Sequence, residues 1–185
     1  MNQNFIKCMS VMLLVVSSLQ LSAKKSKRRL EVCDQAPIFK ATALYPDGVI
    51  GDFDLKKYLG KKIVLYFYPF DSTPVCTKQA KSFIAGHDQL HAAGIQVIGV
   101  SCDSPYAHKR FVKRLGGWVP FPMVSDSHLK REISMMYNVA GFFSSKRKTF
   151  LIDEQGKIVH IYHKVDVDHQ VEDILSCFNE CDLDK

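Results

Sequence analysis

Six residues in this sequence carry thiols: Cys8, Cys33, Cys76, Cys102, Cys177 and Cys181. Cys76 is the one whose surroundings could activate it. The segment Tyr68-Pro69-Phe70-Asp71-Ser72-Thr73-Pro74-Val75-Cys76 follows an apolar, strand-forming run and leads into residues with helical spacing. A cysteine in or beside the first turn of a helix meets free amide groups and the positive end of the helix dipole. Both favour the thiolate, which is the nucleophilic form of sulfur. Pro69 and Pro74 restrict the connecting loop. Spacing alone leaves two readings open: a reactive thiol, or a buried structural cysteine, a common fate for this residue. The other five thiols form no Cys-x-x-Cys pair and no zinc-finger spacing. Cys177 and Cys181 lie four apart, so one helix face could carry both. Cys177 stands among Ile174, Leu175 and Phe178, which points to burial. With His160, His163 and His169 these thiols do not reach a convincing ligand count or spacing for a metal.

The elements around Cys76 alternate between strands and helices. Ile63 to Tyr68 is a continuous apolar run ended by Pro69, which suits a strand buried on both faces. Ala80, Phe83, Ile84, His87 and Leu90 recur at helical spacing, predicting one helix that Gly94 breaks. Ile95 to Val100 reads as a second buried strand, and the crossover makes the two strands parallel. Loops at the carboxyl ends of such strands are where these sheets place their sites. A helix follows Pro105 with Ala107, Phe111 and Leu115 inward, leaving Lys109, Arg110, Lys113 and Arg114 as a solvated face. Another helix is expected through Leu129, Ile133 and Met136. Thr149 to Asp153, a turn at Glu154 to Lys157, and Ile158 to Tyr162 form an antiparallel hairpin. Val171, Ile174, Leu175 and Phe178 mark a closing helix, and Asp47-Gly48 an early hairpin. This order is that of an α/β protein with a thioredoxin-like fold: a central mixed β-sheet with helices on both faces.

The chain has 185 residues, enough for one domain with a sizeable core. Its net charge of +6 resides in Lys7, Lys24, Lys25, Lys27, Arg28 and Arg29. Beyond them, basic and acidic residues are equal in number, so the folded part offers no reason to expect a nucleic-acid partner. Residues 1–23 have the order of a cleaved signal peptide: Lys7, a short apolar stretch from Cys8 to Leu21, then Ala23. Residues 24–30 form a basic linker and 31–185 the domain. Export to a periplasmic or secreted location follows from this division. The alternatives are a cytoplasmic or membrane-anchored protein, with membrane contact only through the N-terminal segment. Removal of the segment leaves five cysteines, so at least one thiol stays unpaired within an exported chain.

The segment around Cys76 resembles the P-x-x-x-T-x-x-C motif of the peroxiredoxins, the alkyl hydroperoxide reductase/thiol-specific antioxidant family, with Pro69, Thr73 and Cys76 at its fixed positions. Leu30 to Pro37 resembles the family's opening, and Val100-Ser101-Cys102-Asp103-Ser104 its second strand end. Asp71 to Lys78 is most similar to the Q-type, or bacterioferritin-comigratory, branch. The resemblance implies a thiol-dependent peroxidase, acting on hydrogen peroxide and organic hydroperoxides in antioxidant defence. Cys76 would be the peroxidatic cysteine, oxidised to a sulfenic acid. Thr73 would bond the thiolate and peroxide. Arg147, placed as the family's active-site arginine, would stabilise charge, and Pro69 would shield the sulfur. Recycling would use a thioredoxin-like thiol reductant, with no metal or organic cofactor, in a monomer or homodimer. Gln79 stands where that branch often has glutamate, and Lys81 where it often has a resolving cysteine. The V-C-P tail of dimeric two-cysteine members is absent. Cys102, expected at the same sheet edge as Cys76, is the resolving candidate. The alternative function, a thioredoxin-fold redox or copper-handling binding module, calls for a second thiol close to Cys76, which the sequence lacks.

Overall fold

The computed structural model describes residues 29–127 and 131–183. The expected signal segment, Cys8 and most of the basic linker lie outside these residues. Of the linker, Leu30 belongs with the fold: its amide donates to Asn138 Oδ1 and its side chain packs on the core.

Seven strands make one sheet. They are β1 (Lys40–Leu44), β2 (Ile50–Asp54), β3 (Lys62–Phe67), β4 (Ile95–Ser101), β5 (Met123–Ser125), β6 (Lys148–Ile152) and β7 (Ile158–Tyr162). Their order across the sheet is β2-β1-β5-β4-β3-β6-β7. β3, β4 and β5 are parallel, while β1 with β2, β1 with β5, β3 with β6 and β6 with β7 are antiparallel. The sheet is therefore mixed, as expected, and both hairpins fall where the turn residues put them.

Alternation along β3 divides the core in two. Val64 and Tyr66 face one cluster, together with Tyr68 just after the strand; Ile63, Leu65 and Phe67 face the other. The helices are α1 (Pro74–Ala85), α2 (His87–Ala92), α3 (Pro105–Arg114), α4 (Glu132–Met136) and α5 (Gln170–Leu183). Residues of α1, α2, α3 and α5 cover the first cluster through Phe83, Leu90, Phe111 and Ile174. The second is covered by Ile133 of α4, by Tyr137 and by the N-terminal segment. Helices thus lie on both faces, but unequally.

Two expected helices differ. The stretch after Cys76 breaks at Gly86, before the expected stop at Gly94. A Cβ on Gly86 would lie 2.7 Å from Val171 Cγ1, so α5 occupies the space that a side chain there would need. The helix expected through Leu129 begins at Glu132, with Arg131 before it in the left-handed region at φ 44°. Leu129 itself lies outside the described residues.

Candidate active site

The site forms where β3 hands the chain to α1. Pro74 opens the helix at a position where its missing N–H is no loss. The backbone carbonyl of Thr73 accepts from Thr77 N at 2.8 Å, but the Thr73 hydroxyl does not cap the helix. That hydroxyl instead lies 3.4 Å from the Phe70 carbonyl. Val75 and Cys76 sit in the first turn, where amide groups lack intrahelical acceptors. Cys76, Gln79, Ala80 and Phe83 form the inward face at i, i+3, i+4 and i+7, and Cys76 is only 2% exposed.

Arg147 comes from the residues just ahead of β6 and reaches this thiol. Its Nη2 donates to Cys76 Sγ at 3.0 Å, and its Nη1 donates to Gln79 Oε1. Gln79 is fully buried. Its Nε2 donates to Gln170 Oε1 at 3.1 Å, and Gln170 Nε2 donates back to the Gln79 carbonyl at 3.0 Å. The first residue of α5 therefore holds Gln79, and Gln79 holds the guanidinium against the sulfur. A permanent cation within bonding distance of a buried sulfur favours a thiolate and any anion that forms beside it. Lys146 is exposed, whereas Lys148 is half-buried, and burial with the nearby charges of Arg29 and Lys146 pulls its pKa down.

The AhpC/TSA family profile matches residues 32–161. A Coxiella burnetii protein that carries the name peroxiredoxin bcp is 38% identical over 152 residues, spanning 79% of this chain and 97% of its own. The chain belongs to the peroxiredoxins. Chloroplastic peroxiredoxin Q of Populus jackii is 37% identical over 111 residues, 59% of this chain and 51% of its own, so the match spans about half of that protein. The reduced 2-Cys peroxiredoxin of Plasmodium vivax superposes with a TM-score of 0.73 at 30% identity, covering 81% of this chain and 83% of that one. A variant of Xylella fastidiosa PrxQ gives 0.72 at 25%, covering 83% and 98%. As a peroxiredoxin, the chain is an enzyme of the thiol peroxidase class, built on the thioredoxin-like fold.

Of the peroxiredoxin residues expected from sequence, Cys76 and Arg147 are in direct contact. Thr73 sits at the helix start and Pro69 lies half-buried in the loop. Cys102 is not brought to Cys76. Its Sγ lies 3.3 Å from Ser145 Oγ, which in turn lies 2.7 Å from Ser134 Oγ on α4. Cys102 lies just past the end of β4, whereas Cys76 packs in the first core cluster. Cys177 and Cys181 are half-buried on α5. Burial and the neighbouring Cys181 push the Cys177 thiol up to about 11. Among the described residues no metal-binding cluster occurs.

Sequence reasoning missed the polar groups behind the site. Gln79 is three residues after Cys76, which puts it on the same helix face, and that spacing could have nominated it. Gln170 is 91 positions away from Gln79 in sequence and carries no such signal. Asp71 and His108 were missed as well. His108 stands among the apolar positions of α3, three before Phe111, and is completely buried.

Proposed function

We propose that this chain reduces peroxides through Cys76 and is recycled by a dithiol reductant of the thioredoxin kind. The observation that carries the reading is the 3.0 Å contact between the Arg147 guanidinium and the buried Cys76 sulfur at a helix start. The thiolate attacks one oxygen of the peroxide. A sulfur–oxygen bond forms, the O–O bond breaks, and the leaving oxygen takes a proton to depart as water or an alcohol. Arg147 and the first-turn amides stabilise the charge that grows on the oxygens, as donors aimed at a developing oxyanion do. Thr73 offers its hydroxyl to the peroxide, and Pro69 limits water around the sulfur. Cys76 is left as a sulfenic acid. A thiol then displaces hydroxide, released as water, to form a disulfide. The dithiol reductant then breaks that disulfide with its two thiols, becoming a disulfide itself and restoring Cys76.

The test is peroxide consumption with thioredoxin as the reductant. Cys76→Ser should abolish turnover with the fold intact, because a serine hydroxyl is barely ionised at neutral pH. Arg147→Met should slow peroxide attack by about a hundredfold, the scale of losing one donor to a developing anion. Lys146→Met and Lys148→Met should do little. Turnover by Cys76→Ser, or equal behaviour of the three cation variants, overturns the reading.

Cys102 remains the proposed resolving thiol. A disulfide needs Cα atoms within about 7 Å, so the first turn of α1 would open to let Cys76 reach it. One equivalent of peroxide should then give a Cys76–Cys102 disulfide in mass mapping. If Cys102→Ser turns over with thioredoxin as the parent does, an external thiol resolves Cys76 directly. Export through residues 1–23 belongs to the same reading. No helix among the described residues is long and apolar enough to cross a membrane.

A further inference from the structure

The loop from Pro69 to Thr73 carries Cys76 into place, yet little within the loop holds it. Ser72 is in the left-handed region at φ 63°, a conformation that costs a residue with a side chain on the order of 1 kcal/mol. Pro74 donates no bond, and Thr73 supplies no side-chain cap. Asp71 is the residue through which the rest of the protein grips this loop. Its amide donates to Asp103 Oδ2 at 2.8 Å. Tyr68 Oη donates to its Oδ1 at 2.9 Å. His108 Nδ1 lies 2.9 Å from its Oδ2. The far ends are firm. Asp103 accepts from Ser101 Oγ at 2.8 Å, and its carbonyl accepts from Ser125 Oγ at 2.6 Å. The His108 ring is completely buried on α3, with Nε2 facing the Val124 carbonyl at 3.4 Å.

His108 touches neither the sulfur nor Arg147, so the peroxidatic step makes no use of it. A buried polar ring nevertheless needs partners, and an apolar residue would fill that core position with less demand. We propose that His108 is a positioning residue for Cys76: acting through Asp71, it latches the loop so that the first turn of α1 stays folded and the sulfur stays against Arg147. The latch ties α3 to the start of α1 and resists the opening that resolution of a sulfenic acid requires. Weakening it therefore shifts the enzyme from attack on peroxide toward exposure of Cys76. This inference deepens the proposed peroxidase reading and rests on it for the peroxide arm of the test.

The test compares His108→Leu with His108→Asn in the full chain. Leucine and asparagine are near in size, but only asparagine keeps a donor where Nδ1 stands. Two rates are measured: peroxide attack on Cys76, and alkylation of Cys76 by iodoacetamide across pH. For His108→Leu, peroxide attack should fall by about tenfold to a hundredfold, the scale of a small misplacement of a reacting group. The pH profile of alkylation should move as the sulfur leaves Arg147, and His108→Asn should restore both readouts most of the way. Asp71→Ala, which also removes the Tyr68 contact, should be at least as slow as His108→Leu, and the double variant should be no worse than Asp71→Ala alone, because His108 acts on the loop through Asp71. If His108→Leu does not fold, Asp71→Asn, which keeps the side-chain volume and removes the carboxylate that faces Nδ1, carries the same comparison. Parent-like rates in His108→Leu or Asp71→Ala overturn the latch, as does His108→Asn behaving like His108→Leu. A parent that consumes no peroxide overturns the peroxidase reading instead. The latch is then judged by the alkylation profiles alone.

Discussion

At the scale of single residues, the site depends on an uncharged buried side chain that aims a charged one. Arg147 is half-exposed and long, and an arginine in that state loses rotamer freedom when held in one pose. Gln79 takes up that task with its Oε1, while Gln170 fixes the amide from behind. Gln79→Leu keeps the volume and removes the acceptor. It leaves Gln170 Oε1 without its donor at a cost of about 1–3 kcal/mol, and it frees Arg147 to leave the sulfur. Stopped-flow measurement should show peroxide attack slowed by about tenfold. Gln79→Glu keeps an acceptor for Arg147 but also takes the donor from Gln170 Oε1, so peroxide attack should stay closer to the parent than in Gln79→Leu while thermal stability falls. Equal rates in Gln79→Leu and the parent would mean that Arg147 is held by something else.

At the scale of elements, the site depends on α1 and α5 meeting closely. Gly86 marks the place. Its φ of −87° is open to any residue, and alanine there should gain at most about 1 kcal/mol of helix propensity. Against this stands the contact: a new Cβ would come 2.7 and 2.8 Å from the two methyl carbons of Val171, one residue after Gln170. Overpacking of this kind costs about 1–3 kcal/mol, so the contact outweighs the propensity. Gly86→Ala should therefore lower the melting temperature. By moving Gln170 it should also slow peroxide attack, although residue 86 is remote from Cys76 along α1. A stabilised Gly86→Ala protein would show that α5 can shift away freely. The same packing explains the early helix break: apolar periodicity runs through Gly86, but the partner helix needs the space of its missing side chain.

At the scale of the whole molecule, burial of weak acids makes the fold sensitive to alkali. Tyr66, Tyr68 and Tyr137 lie almost wholly inside, and burial raises each phenol well above its ordinary value. Tyr58 is pushed up to about 12 and Cys177 to about 11. In the unfolded chain these thiols and phenols ionise near 9.0 and 10.0. The unfolded state thus releases protons first, and linkage makes stability fall as pH rises. Stability from these groups is complete below pH 9 and is lost progressively above it, through about 11 for Cys177 and 12 for Tyr58. Thermal melts from pH 8 upward should be flat at first and then decline. A melting temperature unchanged through pH 11 would contradict this account. The sequence by itself determined the mixed α/β sheet, its hairpins and the cysteine at a helix start. Those features rest on local periodicity, turn residues and a motif eight residues long, all of which survive in one dimension. Only the tertiary structure decided that Arg147 meets Cys76, that Gln79 and Gln170 hold Arg147, that Asp71 and His108 anchor the loop, and that Cys102 faces Ser145. These are contacts between residues tens of positions apart, set by which faces of α1, α3, α5 and β4 come together, and no spacing along the chain encodes them.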